Sequence, residues 1–195
     1  MNANDYKTIK HFDKTGDVHE LTFSYYHQMA LLINDDWRKM LAESITRATI
    51  RHRYKLIAFV FMPDHEHLLV CPEMECSPIS NLLKAIKRPF SYRVKEYLKK
   101  GHNSLLNRLT IQQRPGVNTF RFWQEGPGYD RNITDEKTLL AAIQYIHENP
   151  VKRNLCRQAI DWKWSSAKQY LVPNAPADKG LPKLDRLPLN LSVPE

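Results

Sequence analysis

No stretch of the chain approaches the roughly 18 uninterrupted apolar residues of a membrane-spanning helix. The opening residues, MNANDYKTIKHFDK, are polar and hold no apolar core of an export signal, so a cytoplasmic protein is expected. Cysteine is scarce: Cys71, Cys76 and Cys156 are an odd number with no CxxC pair. Reduced, structural thiols are therefore expected rather than disulfides or a thiolate zinc site. No internal repeat is visible. What remains is a chain of 195 residues and 42% apolar content, enough for one compact domain with a core and some decoration. Its net charge of +8 is compatible with a nucleic-acid partner, because neutralising phosphates releases counterions. Many basic proteins bind no nucleic acid, so charge alone leaves the partner open.

The first 18 residues read as a mobile lead-in. His19–His27 (HELTFSYYH) is rich in aromatic and β-favouring residues and predicts a strand. A helix follows, opened by Asn34 or Asp35, with Trp37, Met40, Leu41, Ile45 and Ala48 at helical spacing. The dense apolar run Tyr54–Met62 reads as a buried strand, Pro63-Asp64 as a turn, and His65–Cys71 as its hairpin partner. Ser77-Pro78 reads as a cap followed by proline at the first helical position. The helix beyond carries Ile79, Leu82, Leu83, Ile86, Phe90, Val94 and Tyr97 on one face, and Pro89 predicts a kink or break near Arg88. Residues 101–118 look like a loop or insertion, and Thr119–Gln124 (TFRFWQ) like a fourth strand. A last helix starts at Asp135 and should end before Pro150. The order predicts an α+β fold, a ferredoxin-like βαββαβ antiparallel sheet with an appended C-terminal helix, spanning residues 19–171. Residues 172–195 are a proline- and leucine-rich tail that either moves freely or drapes over the domain.

Two patterns carry chemistry. In His65-Glu66-His67, strand alternation puts both imidazoles on one face and Glu66 on the other. Such a pair can chelate a divalent ion, although among eight histidines a single H-x-H is a weak signal. In the last helix, Leu139, Leu140, Ile143 and Ile146 define the apolar face. Tyr145 points about 150° from the centre of that face, at roughly 100° per residue. Asn149 lies one turn further on the same side, so a phenol and an amide oxygen can converge. A surface tyrosine with Asn149 as an ordinary cap fits the same spacing.

Taken together, the blocks MPDHEHLLV, FWQEG, YIHENPVK and DWKWSS resemble the IS200-type transposases of the single-tyrosine HUH class. The likeness is greatest to their REP-associated tyrosine transposase branch and runs from Leu21 to Tyr170. It implies that His65 and His67 are paired metal ligands, that Tyr145 is the nucleophile, and that Asn149 supplies a third ligand. It implies a divalent ion, Mg²⁺ or Mn²⁺, with zinc also compatible with the ligand types. The implied activity is cleavage and rejoining of single-stranded DNA at a hairpin, such as a repetitive extragenic palindrome, through a 5′-phosphotyrosine. The REP-associated branch implies a monomer, the IS200-type enzymes a swapped dimer. One position departs from the family: the middle residue of the HUH motif is usually hydrophobic, and here it is Glu66. Its carboxylate faces away from the metal and needs a Lys, Arg or hydrogen-bond partner on the covered face.

DNA contacts are expected from Lys84, Lys87, Arg88 and Arg93 on the second long helix, and from Arg121, Arg131, Lys152 and Arg153 around the last one. A solvated polar face explains each of these residues equally well. Trp123, Trp162 and Trp164 are candidates for base stacking, or for packing in the core. Two further functions fit: a domesticated binding module without cleavage, which Glu66 could signal, and a phosphodiesterase that uses water instead of Tyr145.

Overall fold

The protein is described by a computed structural model covering residues 17–73, 76, 78–126, 128–176 and 178–185. Most of the expected lead-in, Ser77 and the end of the tail lie outside the described residues. The elements are β1 (Val18–Ser24), α1 (Asp35–His52), β2 (Tyr54–Phe61), β3 (His65–Pro72), α2 (Ile79–Lys100), α3 (Leu105–Arg108), β4 (Thr110–Arg114), β5 (Val117–Phe120), β6 (Tyr129–Ile133), α4 (Glu136–Lys152) and α5 (Ala167–Leu171). One sheet has the order β2-β3-β1-β6 with every neighbouring pair antiparallel, as the ferredoxin-like reading requires. A separate two-stranded sheet pairs β4 with β5.

The fourth strand of the sheet is not TFRFWQ. Thr119 and Phe120 belong to the β4–β5 hairpin, and Trp123 makes only an isolated bridge to Tyr25. Tyr129–Ile133 (YDRNI) takes the place beside β1 instead. Its sequence hides this because cross-strand polar pairs, Arg131 with Glu20 and Asp130 with His19, replace most of the apolar burial that marks a strand. The stretch 101–118 is likewise ordered as α3 and most of the hairpin. Neither internal proline ends its helix. Pro89 lies on the exposed face of α2, where the carbonyl it leaves unbonded can be hydrated, and the helix runs on to Lys100. Pro150 falls in the last turn of α4, which continues to Lys152. Pro78 is the cap of α2 rather than its first residue.

The sheet has two covered faces. On one, Leu21, Phe23, Phe59, Phe61, Leu68 and Val70 pack against α1 and α2. On the other, Val18, Ala58, Val60, Leu69 and Ile133 pack against Leu139, Ala142, Ile143 and Ile146 of α4. Each buried Val, Leu, Ile or Phe among these contributes roughly 1.5–3 kcal/mol, and together the contacts fix the rotation of α4 about its axis. Leu140, expected on that stripe, is exposed.

β2 is an edge strand, and the C-terminal segment covers it. The Phe61 N–H donates to the Trp164 carbonyl at 2.8 Å, Ser166 N–H to Phe59 at 3.0 Å, and the Tyr170 hydroxyl to Ile57 at 2.8 Å. Asp185 closes the far end, exchanging bonds with the backbone of Leu56 at 2.8 and 3.0 Å. The packed structure thus extends past residue 171, and this cover blocks the pairing that an open edge invites. Among the described residues no helix is long and apolar enough to cross a membrane.

The side chain of Asn34 accepts from the N–H groups of Asp36 and Trp37, at 2.8 and 3.2 Å, and so caps α1. Asn34→Ala is expected to cost about 1 kcal/mol and Asn34→Gly only a few tenths, read by urea unfolding. No loss in Asn34→Ala would show that the cap bonds do not stabilise the helix.

Candidate functional site

β3 lies between β2 and β1, so its alternate residues are forced to opposite faces. His65 and His67 emerge on the side that α4 covers, their ring centroids 4.9 Å apart and their planes at 89°. Each is held by a bond at Nδ1. For His65 the partner is the Asp64 carboxylate at 2.7 Å, and for His67 the Thr22 hydroxyl at 2.7 Å. With Nδ1–H donating to these partners, each Nε2 keeps its lone pair. The Asn149 amide nitrogen meets Nε2 of His67 at 3.1 Å. Burial, followed by the nearby His65, holds the His67 pKa down to about 3. The ring is therefore neutral at physiological pH, as a metal ligand must be.

Asp64 also pairs with Arg153. Burial opposes its ionisation, but the hydrogen bond and electrostatic attraction of His65, with the Arg153 charge, outweigh it and hold its pKa below the usual value. Tyr145 is 44% exposed, with its ring edge-on to His67 at 5.5 Å. The Lys152 ammonium sits 5.2 Å from the Tyr145 ring centroid and pairs with Glu148 at 2.9 Å. Thr22, Tyr129, Arg131 and Glu20 complete an open cleft with His67 and Tyr145.

Glu66 points the other way and is fully buried among the residues under α2. The polar groups that act on it are the Tyr25 hydroxyl and the Lys87 ammonium, yet neither Glu66 oxygen completes a hydrogen bond of ordinary geometry. Burial raises the carboxyl pKa well above the usual range and lowers that of Lys87, so both groups are driven towards neutrality. The departure from the HUH pattern thus touches the core and not the imidazole pair.

The fold brings together His65, His67, Tyr145, Asn149, Arg131 and Lys152. It does not bring Lys84, Lys87, Arg88 or Arg121 to them. Lys84 and Arg88 are exposed on α2, across the sheet from Tyr145. Lys87 lies against the Phe23 and Trp123 rings, 4.4 and 5.6 Å from their centroids. Arg121 is nearly buried and pairs with Glu125, and Arg93 pairs with Glu43. The tryptophans pack: Trp123 Nε1 donates to the Lys87 carbonyl, Trp162 Nε1 to that of Phe61, and Trp164 is buried. Sequence reasoning missed Thr22, Glu20 and Tyr129, which only the pairing of β1 with β3 and β6 places here. Asp64 was legible, since it directly precedes His65 in the turn.

Among the described residues no cluster of three His, Cys, Asp or Glu side chains surrounds a common point. An ion on the imidazole pair would need further ligands from the Asn149 amide, water or substrate oxygens. The donor set fits such an ion, because both histidines are anchored from behind and the Asn149 amide lies against Nε2 of His67, where turning the amide would present its oxygen.

A family model described as IS200-like transposase matches residues 22–149. Among solved structures, the chain is similar to a REP-associated tyrosine transposase bound to a REP hairpin. That match has a TM-score of 0.64 and 19% identity, and covers 84% of each chain. A putative transposase from Deinococcus radiodurans R1 matches with a TM-score of 0.42 and 17% identity, over 73% of this chain and 97% of that one. No curated protein matches significantly.

Another buried histidine, His147, bonds Ser166 Oγ at 2.8 Å, and burial holds its pKa down to about 4. Both His67 and His147 have folded values below the ordinary 6.5, so the neutral rings stabilise the fold above that pH. That stability should be lost as the pH falls below 6.5, by about 1.4 kcal/mol per pH unit for each ring. Urea unfolding between pH 6.5 and about 5 should show this slope, and His147→Gln should reduce it by about half. An unchanged slope in the variant would show that His147 is protonated in the folded state.

Proposed function

Because the chain belongs to the IS200-like transposases, DNA-processing enzymes, we propose that it cuts and rejoins single-stranded DNA through a covalent bond to Tyr145. The observation that carries this reading is the contact between an exposed tyrosine and a buried, neutral histidine that also meets Asn149. The Tyr145 oxygen attacks the scissile phosphorus, the bond to the 3′ oxygen breaks, and that oxygen leaves as a hydroxyl. The 5′ phosphate stays on Tyr145. Attack by a 3′ hydroxyl reverses the step and releases the phenol, and no energy source is needed because one phosphate ester replaces another.

His65, His67 and Asn149 would hold a divalent ion, Mg²⁺ or Mn²⁺. Once bound, such an ion polarises the phosphate oxygens and neutralises the charge that develops on them. Asp64 and Thr22 hold the two imidazoles in the ligating orientation. Lys152 offers positive charge beside Tyr145, where the phosphate would lie. Helix α4 packs on the sheet of its own chain, so one copy carries the whole constellation, which favours a monomer. The substrate we infer is a hairpin with a single-stranded flank, by likeness to the REP-associated protein with its REP hairpin.

Two measurements test this. On a denaturing gel with end-labelled hairpin DNA and Mn²⁺ or Mg²⁺, the natural protein should give a slow-migrating adduct that Tyr145→Phe lacks. Cleavage retained by Tyr145→Phe would point to a water nucleophile; tight binding without cleavage would point to a binding module. In calorimetric Mn²⁺ titrations, Thr22→Val should weaken binding about 10–100-fold, as losing the partner of a ligating histidine does. Glu66→Leu should change it far less, because its side chain lies across the sheet. An equal loss in both variants would place Glu66 among the groups that hold the ion.

A further inference from the structure

Beyond Tyr145, the α4 side of the sheet keeps an uncovered strip. Register pairs His67 with Thr22 on β1, and Thr22 with Tyr129 on β6. The next row runs from Leu69 through Glu20 to Arg131. Paired residues share a face, so Tyr129 stands in line with His67, two strand spacings or about 10 Å away. With Tyr145 these side chains, apart from the buried Leu69, line an open cleft of about 430 Å³.

The backbone builds this arrangement. Gly128 has φ +75°, and a Cβ there would fall 2.7 Å from the Thr22 carbonyl oxygen. Only glycine lets the chain enter β6 so close to β1, which sets Tyr129 directly beside Thr22. Tyr129 is 50% exposed, and among the described residues no other ring stacks on it. Arg131 is held at 2.7 Å by Glu20, whose side chain is nearly buried, while the Arg131 side chain remains 45% exposed. One carboxylate oxygen occupies part of its five-donor fork and leaves further N–H groups for a ligand. The cleft therefore offers an aromatic face and an anchored guanidinium, both lining the same space as Tyr145.

We propose that this cleft is a subsite for one unpaired nucleotide adjacent to the scissile phosphate, its base stacked on Tyr129 and its phosphate held by Arg131. The proposal rests on the DNA-cleaving reading above and adds the residues that select an unpaired strand. In a duplex both faces of a base are covered by its neighbours, so a side-chain platform favours single strands. Glu20 acts as a positioning residue, keeping Arg131 extended along the floor.

The test reads binding alone, on a Tyr145→Phe background that cannot trap DNA covalently. Fluorescence anisotropy is measured with labelled DNA hairpins carrying randomised single-stranded flanks. Adding Tyr129→Ala should weaken binding about tenfold, and Tyr129→Phe, which keeps the stacking ring, should leave it within about twofold. A single abasic residue moved along the flank should weaken binding at one position in the Tyr129 protein. It should have no effect there in Tyr129→Ala, since the stacking contact is already gone. Unchanged affinity in Tyr129→Ala overturns the subsite, and so does a loss that is independent of the abasic position. If neither protein binds any hairpin, the DNA-cleaving reading falls with it. If hairpins bind and the natural protein forms its adduct while Tyr129→Ala behaves as its parent, the subsite alone falls.

Discussion

The period-two alternation of β3 is the constraint on which the site depends. Pairing on both sides, with β2 and β1, leaves that strand no freedom to roll. His67 therefore faces α4 and Glu66 faces α2. A slip of one residue would send the carboxylate to Tyr145 and the imidazoles into the core. The density of buried apolar residues along β2 and β3 makes such a slip prohibitive, because every other side chain of the strand would change faces too.

The second half of the site comes from a helix whose rotation is set by its underside. Ile143 and Ile146 lie in the core, and His147 ties the same helix through Ser166 to the edge of β2. These contacts leave Tyr145 on the opposite side and bring Asn149 down onto His67. The C-terminal segment thus has two roles: it closes an exposed sheet edge, and it anchors the helix that carries the tyrosine.

Glu66 shows what the alternation costs. A carboxyl group enters a face otherwise lined by Phe23, Phe61 and Leu68, and burial pushes both it and Lys87 towards their neutral forms. A buried pair of this kind contributes little to stability, while removing one member leaves the other without its compensating partner. The effect stays on the α2 side, because the sheet itself separates Glu66 from the imidazoles.

Local periodicity and motif chemistry made much of this legible in the sequence. The apolar run of β2, the alternation of His65-Glu66-His67, the cap at Asn34 and the phase of Tyr145 on its helix all depend on residues close along the chain. The tertiary structure decided what depends on long-range pairing. It made the polar segment YDRNI the fourth strand, since an edge strand can satisfy its backbone against β1 without an apolar signature. It separated Lys84 and Arg88 from Arg131 and Lys152, because a sheet lies between helices that look equally basic in sequence. It also placed Thr22 behind His67 and Tyr129 at the end of the same row, as only the register of three strands distant in the chain sets which side chains stand together.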